Sequence, residues 1–137
     1  MTSLTLKARE TFAQDRYATE ATGVAIDEVG DLSAQCHLDL QDIHRNAMGA
    51  VMGGAIFTLA DLAFAAAANS RCLADGLRIG WVSTSSTVHY LAQPDGNRLV
   101  AETRCLKQGK SSCLFTIDIR DKRGLVATVT TEGRKIS

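Results

Sequence analysis

Neither sign of charge is in excess in this chain: 15 lysines and arginines balance 15 aspartates and glutamates over 137 residues. Such a balance sets up no broad field to attract nucleic acid or anionic lipid, so neither is expected as a partner, and a small or neutral-bodied ligand fits better. Paired cysteines are also lacking. Cys36, Cys72, Cys105 and Cys113 lie far apart, form no C-x-x-C, and sit in apolar periodic segments, which predicts buried thiols in a reducing compartment. The opening "MTSLTLKARETFAQDRY" is charged and broken every few residues and has no secretory apolar core. The longest apolar run, Ala55 to Ala68, is interrupted by Asp61 and is shorter than the roughly 20 residues a membrane span needs. A cytoplasmic protein is expected. With no repeat, linker or low-complexity tract, and 45% apolar residues, residues 1–137 read as one domain around one core.

Two further absences narrow the chemistry. "GKS" at Gly109 to Ser111 invites a phosphate-loop reading, but Arg104 stands where the leading glycine belongs. Three scattered histidines, His37, His44 and His89, show no ligand spacing, so no metal site is expected.

What is present begins with a weakly amphipathic stretch, Leu4 to Ala18, which suits a short helix within an N-terminal segment (1–20) lying on the body of the domain. From Leu32 the alternation is regular, with Ala34, Cys36, Leu38 and Leu40 on one side and Ser33, Gln35, His37 and Asp39 on the other. It reads as a half-buried strand, preceded by another at Val24 to Val29. After a loop from Asp42 to Met52, Gly53 to about Arg71 is rich in Ala and Leu and long enough for about five helical turns. Apolar side chains on nearly every face predict a helix covered almost all round.

Four strand-like segments follow, at Trp81 to Leu91, Arg98 to Lys107, Ser111 to Asp121 and Leu125 to Glu132, and the turn chemistry between them suggests an antiparallel meander. The sum is an α+β layer, a curved antiparallel sheet of about six strands wrapped around a long central helix. Such a sheet cannot cover an all-apolar helix alone, so burial against a second copy is expected.

The chemistry concentrates at "HRNAMGAVMGGAIFTLADLAFAAAANS", His44 to Ser70. A helix leaves its first N–H groups unpaired, and Gly53 and Gly54 let an acceptor approach them closely, as a phosphate or a carbonyl oxygen gaining negative charge would. Asp61 lies seven residues beyond Gly54, about two turns, on roughly the same face. An ionisable group among Ala and Leu is costly unless paired or used. Asn46, in the loop before the helix, is a turn former or a group that orients water or a carbonyl.

The spacing of Asn46, Gly53-Gly54 and Asp61, with "LAFAAAANS" after it, "VHYLAQP" at Val88 to Pro94 and "GLVATVTTEG" in the last strand, resembles the hotdog-fold acyl-CoA thioesterases of the phenylacetate-degradation type. The resemblance runs from about Asp15 to the C-terminal strand. It implies a hotdog fold and a homodimer or homotetramer with active sites at the subunit interface. It also implies hydrolysis of an aromatic acyl-CoA such as phenylacetyl-CoA, or of a short to medium acyl-CoA, without metal or redox cofactor, coenzyme A entering as part of the substrate. By that resemblance the thioester carbonyl rests on the N–H of Gly54, Gly53 shapes the turn, Asn46 positions water or carbonyl, and Asp61 is general base or nucleophile. Met52 stands where the family has a histidine, and Leu62 where several relatives have threonine; both are read as lining an apolar acyl pocket, with Ser83 and Thr84 as further contacts. A non-catalytic acyl-CoA binding protein is the alternative.

Overall fold

The computed structural model describes residues 1–136. Helix α1 (Ser3–Phe12) is followed by a π-helical turn (Tyr17–Thr22), strands β1 (Ala25–Gly30) and β2 (Ser33–Asp39), and a 3₁₀ turn (Asp42–His44). The long helix α2 (Gly53–Ala68) and short α3 (Ser70–Ala74) precede β3 (Trp81–Tyr90), β4 (Arg98–Gln108), β5 (Ser112–Asp121) and β6 (Gly124–Lys135). All six strands form one antiparallel sheet in the order β1-β2-β4-β5-β6-β3.

The sheet's inner face packs on α2. Cys113, Phe115, Ile117 and Ile119 of β5 are buried, as the alternation predicts, and Leu38, Leu99, Ala101, Ala127 and Val129 extend that face. Leu59, Ala60, Ala63, Phe64 and Ala67 of α2 oppose them, with Phe64 and Phe115 edge to face at 5.5 Å between ring centroids. Small alanines bring the helix close to the sheet. α1 docks on β1 through the buried Thr5 hydroxyl, which accepts from Val29 N–H at 3.1 Å, and through Arg9, which donates to the Ile26 carbonyl at 2.7 Å.

Two sequence expectations need correction. The four C-terminal strands are not a simple meander, because β3 pairs with β6 at the far edge and only β4, β5 and β6 are sequential neighbours. The "QPDGN" segment is a crossover held on the β5–β6 hairpin: Leu91 and Ala92 both donate to the Val126 carbonyl, and Asp95 N–H donates to the Asp121 carboxylate at 2.7 Å. A strand as polar as "STSST" suits an edge better than the centre of a sheet. The N-terminal helix ends at Phe12, short of Ala18, and the π turn that follows begins only at Tyr17. Helix α2 is left open by the single chain along one stripe, as a sheet too small to cover it implies: Gly54 and Asp61 are exposed and Phe57, Thr58 and Ala65 half-buried, at helical spacing.

The lower end of α2 is fixed by Asn69, which is fully buried. Its amide donates to the Ala65 and Trp81 carbonyls at 2.9 and 3.1 Å, and its oxygen accepts from Gly80 and Trp81 N–H at 2.8 and 2.9 Å. One side chain thereby ends the helix and sets where β3 begins. Gln108 adds a bond to the Ala68 carbonyl at 3.1 Å. All four cysteines are free, and burial, with the Asp27 charge adding, pushes the Cys36 thiol up to about 12. No helix among the described residues is long and apolar enough to cross a membrane.

Asn69→Ala strands two buried N–H groups, those of Gly80 and Trp81. The free energy of unfolding is expected to fall by about 3 kcal/mol. Urea denaturation checks this, with a lowered midpoint at unchanged slope.

Candidate active site

The loop before α2 is a small hairpin, bridged at Arg45 and Val51 and turned at Gly49 with φ +80°. Asn46 builds it: its side-chain oxygen accepts from Met48 N–H at 2.9 Å and Ala50 N–H at 3.1 Å. That oxygen is committed to the turn, so only the amide NH₂ of Asn46 remains to meet a ligand. His44 is buried and structural, accepting from Gln41 N–H at 3.0 Å and donating to the Thr22 carbonyl at 2.6 Å, which ties the loop to the π turn.

Met52 then starts α2 in extended conformation and puts no side-chain cap on it. The Met52 carbonyl accepts from Ala55 and Ile56, while the N–H groups of Gly53 and Gly54 meet no protein acceptor among the described residues. A Cβ on Gly54 would touch nothing within 4 Å, so this position opens to an approaching group. A Cβ on Gly53 would lie 2.9 Å from the phenol of Tyr90, whose hydroxyl donates to the Gly53 carbonyl at 3.0 Å. Tyr90 was not singled out from sequence, because its partner is 37 residues away. The only local signal was its place in "VHYLAQP".

A groove of about 260 Å³ opens beside these N–H groups, lined by Tyr17, Ala21, Ile43, Met52, Gly54 and Ala55 among others. Met52 is exposed along this groove. Leu62 is not: it is 3% exposed and packs into the core, because it points away from the open stripe. Ser83 and Thr84 are exposed on β3 but do not join this end of the helix. Strand β3 starts at Trp81, beside Asn69, and reaches Gly53 only at Tyr90, so Thr84 lies about 20 Å back along the strand.

Asp61 sits midway along α2, about 10 Å up the axis from Gly54. Its carboxylate is exposed on the single chain, yet enough protein surrounds it that desolvation raises its pKa above the ordinary 3.8, with the charge of Asp15 adding to the rise. The folded chain thus holds this proton more tightly than the unfolded chain. Folding loses stability as pH rises from the ordinary carboxylate value through the raised one, and regains it on the way down. Asp61→Asn removes the penalty of the charged form. The variant is expected to melt above wild type at neutral pH, with the difference closing as pH falls past 3.8, which thermal melts across that range will measure.

No group of three or more His, Cys, Asp or Glu side chains arranged to hold a metal occurs among the described residues. What the arrangement offers is hydrogen-bond donation at one end of an open helix stripe, a carboxylate of raised proton affinity on the same stripe, and an apolar groove alongside. That combination suits reactions in which a carbonyl oxygen gains charge while a proton is moved nearby.

Comparison with known proteins assigns a family to this arrangement. Residues 48–128, more than half of the chain, match the model of the thioesterase superfamily. An Archaeoglobus fulgidus protein assigned by name to the esterases is 30% identical over 88 residues, covering 64% of this chain and 54% of that protein. The chain thus spans about half the length of the curated relative it matches. Among solved structures, the PaaI protein from the phenylacetic acid degradation operon of E. coli superposes with a TM-score of 0.80 at 26% identity, over 98% of this chain and 97% of that one. A thioesterase family protein of Silicibacter pomeroyi gives 0.82 at 19% identity over 98% of each chain. A hypothetical thioesterase protein of Streptococcus pneumoniae, solved with coenzyme A, gives 0.78 at 20% identity over 92% and 97%. The last two share the fold, a hotdog with its sheet wrapped on the central helix, and the family match carries the relationship further: the chain belongs to the thioesterase superfamily.

Proposed function

We propose that this protein is a thioester hydrolase acting on acyl-CoA, cleaving an aromatic acyl-CoA such as phenylacetyl-CoA, or one of short to medium chain, to a carboxylate and free coenzyme A. The observation that carries this reading is the uncapped start of α2, where the Gly54 N–H is open beside an apolar groove, on one helix stripe with a carboxylate of raised proton affinity. Family membership and the likeness to a PaaI protein support it, and the coenzyme A held by the S. pneumoniae relative supports the substrate class.

In this reaction the thioester oxygen accepts from Gly54 N–H. Asp61 takes a proton from water as the resulting hydroxide attacks the carbonyl carbon; the tetrahedral intermediate collapses, the C–S bond breaks, and the thiolate leaves with that proton. Direct attack by Asp61, giving a mixed anhydride that water then cleaves, uses the same groups. The chain's own groups and water suffice, with no metal or redox cofactor.

The spacing along α2 has a consequence for assembly. A reacting carbonyl must lie about 3 Å from both its donor and its nucleophile, whereas Gly54 and Asp61 of one chain are about 10 Å apart along the axis. Each site therefore draws Gly54 from one copy and Asp61 from another, in a homodimer or a homotetramer built from such dimers. The open stripe of α2 and the unpaired edge of β3 are the surfaces available for it.

Met52 favours a second reading. An apolar side chain replaces the family's histidine at the lip of the groove, as in a protein that binds acyl-CoA without cleaving it. Release of coenzyme A from short, medium, long and aromatic acyl-CoAs, measured on wild type and Asp61→Asn, separates the two. Hydrolysis calls for a wild-type rate that falls by about 10²- to 10⁴-fold in the variant with its oligomer intact. Wild-type binding without turnover would establish the second reading.

A further inference from the structure

The Gly53 carbonyl that Tyr90 engages and the Gly54 N–H proposed to hold the thioester oxygen are two ends of one peptide unit. Carbonyl and N–H are coupled by amide resonance, so a proton donated to the oxygen deepens the C–N double-bond character and makes the N–H a stronger donor. Position matters as well. A peptide flanked by two glycines has unusually free dihedrals, and no side chain caps α2 to restrain it. The Tyr90 ring fills the space where a Cβ on Gly53 would stand, 2.9 Å from its phenol carbon, and so bears directly on this peptide. Tyr90 is itself held at the end of β3 by pairing with Ala127 of β6.

We propose that Tyr90 is a positioning residue of the site: its hydroxyl, donating to the Gly53 carbonyl, fixes the plane of the Gly53–Gly54 peptide and strengthens the Gly54 N–H toward the thioester oxygen. This rests on the hydrolase reading for its catalytic consequence, though not for the state of the peptide. The residue touches no reacting atom. It acts through the donor, most strongly when the oxygen carries most charge, so the effect belongs in kcat with KM held.

Tyr90→Phe keeps the ring against Gly53 and removes only the hydroxyl. Loss of a whole oxyanion donor costs about 10²- to 10³-fold, so loss of its alignment and polarisation is expected to lower kcat by about 3- to 30-fold at unchanged KM. The Gly54 amide proton in ¹H–¹⁵N spectra of the unliganded protein is expected to move upfield, as a weakened donor does. Gly53→Ala, which pushes the phenol away, is expected to move the same resonance the same way. A Tyr90→Phe variant with wild-type kcat and an unmoved Gly54 resonance overturns the proposal, as does one that only melts earlier. A wild type that cleaves no acyl-CoA would end the hydrolase reading, and the Gly54 resonance would still decide whether Tyr90 governs the peptide.

Discussion

The structure depends on a single constraint, the pinning of α2 to β3 at both ends. Asn69 makes four hydrogen bonds at the C-terminal end, and Tyr90 makes one at the N-terminal end. With both ends tied, the register of β3 on β6 and the placement of α2 on the sheet are fixed together. An amide suits the lower end because it carries donors and an acceptor at once. Fully buried, it leaves no polar atom unpaired. Alanine-rich packing alone would let the helix slide along the sheet, since one alanine resembles the next; the directional bonds of Asn69 do not permit it.

This anchoring lets the other end of the helix remain incomplete. A Ser, Thr, Asp or Asn at the N-cap would contribute about 1 kcal/mol, and Met52 contributes no such bond. The helix gives up that stabilisation, and its first N–H groups stay open at the surface. The preceding loop shows the opposite economy: the Asn46 oxygen is spent on its own turn, and the His44 ring on Gln41 N–H and the Thr22 carbonyl. Polar side chains therefore hold the loop rigid around a helix end that is left unsatisfied, an arrangement of fixed dipoles that need not reorganise when charge develops beside them.

Much of this was legible in the sequence, for reasons that can be named. The strands of a half-buried sheet carry period-two alternation, so β2 and β5 were found with their inward faces correct. The central helix was found from its composition, and Gly53 as its first residue. Topology was harder, because turn chemistry says that the chain bends and not where it goes next: "QPDGN" reads as a hairpin turn, whereas Asp121 draws it across the β5–β6 hairpin. Leu62 was misplaced because a residue beside Asp61 in sequence is about 100° away around the helix, which turns it from the open stripe into the core. The roles of Asn69 and Tyr90 were hidden because the partners that define them are distant in sequence, Gly80 and Trp81 lying 11 and 12 residues from Asn69, and Gly53 lying 37 from Tyr90.

The open stripe of α2 and the edge of β3 belong to the same problem. Gly54, Phe57, Thr58, Asp61 and Ala65 line the uncovered helix face, and β3 leaves one row of backbone groups without a strand partner. Covering the stripe with larger apolar side chains would complete the single chain and bury the carboxylate where no water reaches it. The second copy proposed above would serve both needs. In the proposed dimer the apolar members of the stripe would lose their contact with water, and a carboxylate from one helix would be brought to the open N–H groups of another, a distance that no rotamer could close within one helix. In the proposed dimer the desolvation that raises the Asp61 pKa would deepen as the second copy closed over it. Assembly of the proposed kind would then act on the proton affinity of this carboxylate as well as on the stability of the subunit.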